Sequence, residues 1–418
     1  MPAGGNPSDA LAPYADRLKV TAPELVFVGQ IAPGDGASGE DVTAQSRSVL
    51  ARLEATIAER ELRFDDLLRL RLFVSDLDDL PAIAHALDSF GPAQWPAVSV
   101  VELPTGSTPG VTVTLDAVAA SGAREHRRVM RLSEGGDREA RAGSGSQPRS
   151  VRCGPWVFVG ATTAMAARAP SFPPSDHPDF ADSMTRRIGE ESRAVFARIE
   201  ALLREQDAEL RDVVSVGGWL TFPMRGYGPL GDVRDALIAE GLFPASAAVQ
   251  VGRVWPDPAL LAFEAIAFAP EDPRERERWR AAALPTPSPL APYYASARSA
   301  GGYVFTCGEV PTRTAKPNHA AERDRPAAVK AQAGEVYERL GANLAEHGTG
   351  RASAVHQTVF VRRLRDRDAV ADAARAFFGA DAMPPTTLLS VADLGFHPGC
   401  DVEIALIAAG DGRATDAR

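Results

Sequence analysis

The strongest constraint on this chain is that it is written three times. A short apolar strand pattern running into Gly appears as LVFVG from Leu25, WVFVG from Trp156 and YVFTCG from Tyr303. An amphipathic segment follows each. In DVTAQSRSVLARLEATIAERE from Asp41, the residues Val42, Val49, Leu50, Leu53 and Ile57 fall at helical spacing opposite the charges. The second such segment starts at Arg187 and the third at Ala327. Next come strands rich in β-branched residues from Asp66, Asp212 and Ser353, then shorter helix patterns such as DLPAIAHALDSFG and DAVADAARAFFG. Each repeat closes on an apolar strand: VTVTLDAVA from Val111, LAFEAIAFA from Leu261 and VEIALIAA from Val402. The order β-β-α-β-α-β-β, recurring along one chain, predicts three small α+β units. We assign them to residues 1–120, 127–271 and 285–411. The polar segments between them are the joins, and RRVMRLSE from Arg127 is a candidate first strand of the second unit.

Composition narrows the function. The net charge is −10, with no long run of Lys and Arg. A surface that tracks phosphates needs clustered positive charge, so nucleic acid is not an expected partner. Three scattered cysteines, Cys153, Cys307 and Cys400, make neither a disulfide framework nor a zinc site and fit a reducing, cytoplasmic setting. The start of the chain lacks an apolar core of signal-peptide length, and no stretch reaches the roughly 20 apolar residues that cross a bilayer. No phosphate-binding Gly loop or metal-ligand spacing is present, so no cofactor is expected. Two longer loops, from Arg168 and from Thr312, read as solvated insertions.

The run from Ala12 to Ala119 resembles the Rid/YjgF family, also called endoribonuclease L-PSP. It carries the family's Pro13-Tyr14, Gly29-Gln30-Ile31 and helix Gln45. The third repeat is similar at both ends, through APYY at Ala291–Tyr294 and VEIALIA from Val402. The second is the most diverged, with Glu191 at the place of the helix Gln. The resemblance implies chorismate-mutase-like α+β units. Three in one chain imply an intrachain pseudo-trimer around a central barrel, with clefts between neighbours and a monomeric or homodimeric protein.

Family members that hydrolyse reactive imines hold the substrate carboxylate with an Arg and position water with a Glu. The matching Arg positions here are Val98, Ser246 and Thr386, so ordinary 2-imino acid deamination is not expected. The Glu positions are Thr114, Ala262 and Glu403, and the small polar residue before the Gly is Val28, Val159 and Cys307. Only the third repeat keeps both polar groups. The candidate catalytic residues are therefore Glu403 and Cys307. Tyr293, Thr386, Thr387, Gly308, Arg253 and Arg298 are candidates for substrate binding, with Arg362 and Arg363 as further cations.

Each has a plainer reading. Glu403 can be a rim carboxylate, or one sharing a proton with Asp401; Cys307 a buried small hydrophobe; His356 and His397 satisfied structural histidines. Three functions stay open at this point. The first is an enzyme on a small polar metabolite (an imine or enamine, a 2-oxo acid or an enol ether), with Glu403 as general acid/base in hydrolase or lyase chemistry of specialised biosynthesis. A chorismatase-like hydrolase, also built from fused units of this kind, is a special case of it. The second is a non-catalytic module that binds a metabolite or a protein, and the third an RNA-cleaving protein.

Overall fold

A computed structural model describes residues 18–410, except 21–24, 35–36, 38, 91–94, 104–109, 124–126, 131–149, 165–179, 224–227, 239–243, 256–257, 283–286, 289–290, 315–323 and 396–398. Tyr14, His397 and most of the two long insertions lie outside the described residues.

The first sheet is made of β1 (Leu18–Val20), β2 (Leu25–Ile31), β3 (Leu67–Val74), β4 (Ala97–Glu102) and β5 (Val113–Ala120), in the order β1-β2-β5-β3-β4. Helices α1 (Val42–Ala58) and α2 (Leu80–Phe90) belong to it. The second contains β6 (Arg127–Met130), β7 (Ser150–Cys153), β8 (Trp156–Thr163), β9 (Val213–Leu220), β10 (Ala245–Gln250) and β11 (Leu261–Phe268), with α3 (Phe180–Arg204) and α4 (Gly228–Ile238). Helix α5 (Pro273–Ala282) leads onward. The hairpin of β12 (Pro287–Ser288) and β13 (Ala291–Ala295) precedes β14 (Ala297–Ala300), β15 (Tyr303–Thr306), β16 (Ala354–Val361), β17 (Thr386–Ser390), β18 (Asp393–Leu394) and β19 (Val402–Ala409), with α6 (Arg325–Glu346) and α7 (Arg367–Phe378).

Removing the extras leaves one strand order three times: β1-β2-β5-β3-β4, β7-β8-β11-β9-β10 and β14-β15-β19-β16-β17. The parallel pair is always the last one, β3 with β4, β9 with β10 and β16 with β17. Strand β6 is an addition at the outer edge of the second sheet.

The sequence explains the local geometry. Asp41 caps α1, its side chain accepting a hydrogen bond from the Ala44 N–H at 2.8 Å, while Val49, Leu50, Leu53 and Ile57 are buried beneath. All three long helices stop in the same way. A left-handed residue (Glu61, Asp207 or Gly348) is followed by an N–H that reaches back five residues to a helix carbonyl, Leu62 to Ile57, Ala208 to Leu203 and Thr349 to Leu344. Only the third repeat uses Gly there. The Gln45 position is structural in each copy: Gln45 accepts from Thr112 N–H, Glu191 from Leu260 N–H and Gln332 from Asp401 N–H, holding the chain that enters the last strand.

Each sheet buries one face under its own helices. The opposite faces meet one another. One shared cluster joins Phe27 and Leu68 to Trp156 and Phe158 and to Tyr303 and Phe305; another joins Phe73, Trp219 and Phe360. The expected central barrel is not closed by strand ladders among the described residues. The three sheets remain separate, joined by the short β10–β18 pairing and isolated contacts. The twisted faces meet through side chains instead, which leaves room between them.

Candidate functional site

The Gly within or just after each repeated strand has a physical reason. A Cβ on Gly29 would lie 2.7 Å from Thr386 N, and one on Gly160 would lie 2.4 Å from Val98 O. Gly308 donates its N–H to Ser246 O at 2.9 Å. The three glycines thus let each unit press its backbone against the strand of a neighbour: first on third, second on first, third on second. Val98, Ser246 and Thr386, the positions matched to the family's Arg, therefore lie on these seams.

Glu403 lies on the seam between the third and second units. Along β19, Val402, Ile404, Leu406 and Ala408 pack into the third unit's own core. Alternation sends Glu403 to the other face. A Cβ on Gly308 would lie 2.1 Å from Glu403 Oε1 and 3.0 Å from the Cβ of Ala247 in the second unit. Glu403 is 4% exposed. Burial raises its carboxyl, the Gly395 N–H opposes this, and the nearby Glu309 adds to it, so the group titrates at about 8. It is thus mostly protonated at neutral pH.

Cys307 is buried, and its Sγ–H points to Glu309 Oε1 at 3.6 Å. Burial, then the charges of Glu309 and Glu403, push the thiol well above its usual range. A thiolate is disfavoured here, which argues against a nucleophile. Glu309 is itself paired with Arg339 and accepts from Asn343 Nδ2 at 2.8 Å.

The other sequence candidates do not gather around Glu403. Thr386 Oγ1 donates to Pro384 O and accepts from Gln357 Nε2, on the seam with Gly29. Thr387 donates to Asp116 Oδ2 at 2.6 Å in the centre of the molecule. Arg253 is held by Asp76, Asp78 and Glu102 at a partly exposed edge between the first two units. Arg298 is buried, donating to the carbonyls of Val213 and Arg211. Arg362 pairs with Asp393 at 3.5 Å. Asp401 faces Arg325 at 2.8 Å and Gln332, so it shares no proton with Glu403. The side chain of Tyr293 lies outside the described residues.

Sequence reasoning missed a second polar assembly, where the three units converge. Positions equivalent by strand register are Arg69, Ser215 and His356; Arg71, Gly217 and Thr358; and Asp116, Glu264 and Ala405. Arg71 donates to Asp116 Oδ1 at 2.8 Å and to Glu264 Oε1 at 3.2 Å. Ser99 donates to Glu264 Oε2 at 2.8 Å. Burial opposes charge on both partners. The ion pair outweighs it, so Asp116 lies below the ordinary carboxyl range and Arg71 above the ordinary guanidinium range. The missing side chain at Gly217 makes room: a Cβ there would lie 2.9 Å from Glu264 Oε1. A signal existed in LLRLRLFV, where two arginines alternate with leucines in a strand apolar at every other position.

Among the described residues, no group of three or more His, Cys, Asp and Glu could hold a metal ion. No helix of the described residues is long and apolar enough to cross a membrane.

The chain finds matches among known proteins. The family model described as endoribonuclease L-PSP matches residues 5–121 and 284–410, more than half of the chain, and the chain belongs to that family. Protein DfrA of Myxococcus xanthus is 32% identical over 119 residues, 27% of this chain and 88% of the relative. A 2-iminobutanoate/2-iminopropanoate deaminase of Salmonella typhimurium is 31% identical over 103 residues, 23% of this chain and 80% of the relative. Among solved structures, a chorismatase aligns with 82% of this chain and 93% of its own at 15% identity and a TM-score of 0.47. A YjgF/YER057c/UK114 family member from Mycobacterium tuberculosis aligns over 34% of this chain and 99% of its own, at 24% identity and a TM-score of 0.26.

Proposed function

We propose that this protein is an enzyme acting on a small polar metabolite at the seam between its second and third units, with Glu403 as the general acid. One observation carries the reading. Of three equivalent positions, Thr114, Ala262 and Glu403, one retains a carboxyl group, and its surroundings keep that group protonated up to about pH 8. An acid of that pKa can deliver a proton to a leaving nitrogen or oxygen at neutral pH and take one back from water. The substrate classes that fit are imines or enamines, 2-oxo acids and enol ethers. The similarity to a 2-iminobutanoate/2-iminopropanoate deaminase supports the first class. Val98, Ser246 and Thr386 at the carboxylate-gripping positions argue for a reaction diverged from that one.

The alternative is a non-catalytic binding module. Replacement of the family's site residues in the first two units, with Thr114 and Ala262 at the Glu position, is compatible with it. RNA cleavage, the activity in the family's description, gains no support from a chain of net charge −10.

The test is a thermal-shift screen of 2-oxo acids, imine precursors, chorismate and isochorismate, run on wild type and on Glu403→Gln. Every ligand that shifts the melting temperature is then assayed for turnover. Ligand stabilisation of both proteins with turnover only in wild type supports the enzyme. Equal turnover by the two proteins, or no shift with any compound, refutes it.

A further inference from the structure

We propose that the chamber where the three units converge is a binding site for a small 2-hydroxy carboxylate, gripped by the Arg69 guanidinium. This goes beyond the role of Glu403 and stands on different side chains.

The chamber is a cavity of about 70 Å³, lined by residues of all three units, among them Arg69, Ser215, Ser246, His356 and Thr358. At roughly 10–15 Å³ for each water centre, that volume suits a solute of about six non-hydrogen atoms. Arg69 is 6% exposed, and its Nε has no hydrogen-bond partner. Its neighbours Asp116 and Glu264 have spent their oxygens on Arg71, Ser99 and Thr387. A guanidinium stays charged, so a buried one with an unspent donor is costly unless an acceptor arrives. A carboxylate matches it with two parallel hydrogen bonds.

The opposite wall supplies the second contact. Thr387 donates its hydroxyl hydrogen to Asp116, so its oxygen accepts from His356 Nε2 at 3.2 Å. That fixes the His356 tautomer with hydrogen on Nε2 and leaves Nδ1 as an acceptor. Burial keeps the ring neutral, its pKa lowered to about 3. Ser215, Ser246 and Thr358 add three hydroxyl side chains to the lining. A ligand with a hydroxyl beside its carboxylate can meet the cation with one end and the hydroxyl-lined wall with the other.

The site requires a fused chain. Positions 69, 215 and 356 are equivalent, so a trimer of identical units would bring three copies of one side chain together here. Three arginines would repel, and three serines would leave no charge. Arg, Ser and His at those positions make an asymmetric pocket that a symmetric trimer cannot form.

Isothermal titration at pH 7 tests this with glycolate and lactate as probes, acetate and propionate as carboxylates lacking the hydroxyl, and inorganic phosphate as a different anion. We expect saturable binding of the hydroxy acids and about tenfold weaker binding of the unsubstituted acids, the value of one hydrogen bond. Arg69→Gln is expected to abolish binding and to raise the melting temperature. Ser246→Ala, which keeps the charge, is expected to weaken binding several-fold, and it decides the matter if Arg69→Gln does not fold. The proposal is overturned if no hydroxy acid binds, so that the chamber holds water only. Preference for phosphate overturns it, as does affinity unchanged by Arg69→Gln or, where that variant does not fold, by Ser246→Ala.

Discussion

The seam at Glu403 and the chamber at Arg69 are two answers to the burial of an ionisable group. At the seam an acid is buried without a cation; in the chamber a cation is buried without an acceptor of its own. Burial is the largest cause in both cases, yet the outcomes differ. Glu403 needs only to rise to about 8 to be neutral at physiological pH, whereas burial brings Arg69 down to about 10, where it is still charged. A carboxyl starts close enough to neutrality to shed its charge; a guanidinium does not. The seam has therefore kept a proton to give, and the chamber a charge to be met.

Substitutions can break that contrast. The largest effect is expected at Glu403→Gln, which preserves shape and hydrogen bonding but cannot transfer a proton. Turnover of a substrate found in the screen should fall about 10²- to 10⁴-fold. In the chamber, Asp116→Asn removes the charge that Arg71 and Thr387 rely on and leaves two arginines facing Glu264. Urea unfolding should show a loss of roughly 3–5 kcal/mol. Gly308→Ala forces a methyl against Glu403 and Ala247, and overpacking of that kind costs about 1–3 kcal/mol by the same measurement.

A pH series separates the two sites without changing the chamber. The Glu403 carboxyl is raised on folding, so its contribution to stability is complete below the unfolded value of 4.5. It is lost as pH climbs through about 8. The slope is at most about 1.4 kcal/mol for each pH unit, and Glu403→Gln should remove that part of it. His356 runs the other way: its lowered pKa costs stability as pH falls from 6.5 towards 3, in both proteins. The smallest effect belongs to Arg253→Ala. Its ion pairs lie at a partly exposed edge, so stability should change by less than about 1 kcal/mol. A larger loss would mean that the edge helps to hold the first two units together.

Much of the architecture was legible. The recurrence of an apolar strand pattern running into Gly29, Gly160 and Gly308 revealed the repeat, and Glu403 stood out as the one carboxyl kept among three equivalent positions. The site was legible only in part. Arg253 and Arg298 carry the right charge, but one is matched by three surface acids and the other by backbone carbonyls. Arg69 and Arg71 stood in plain view, yet a buried cation can be judged only against what lies across from it.

The sequence by itself determined the three α+β units, the order of elements along each and the one retained carboxyl, because hydrophobic period acts within a single repeat. Tertiary structure alone decided which polar groups meet. Asp116, Glu264, Thr387 and Arg71 lie as many as 316 positions apart, on three sheets whose faces come together only when the units pack. Charge and hydrogen bonding depend on distances of a few ångströms, and between units those distances are set by packing and not by spacing along the chain.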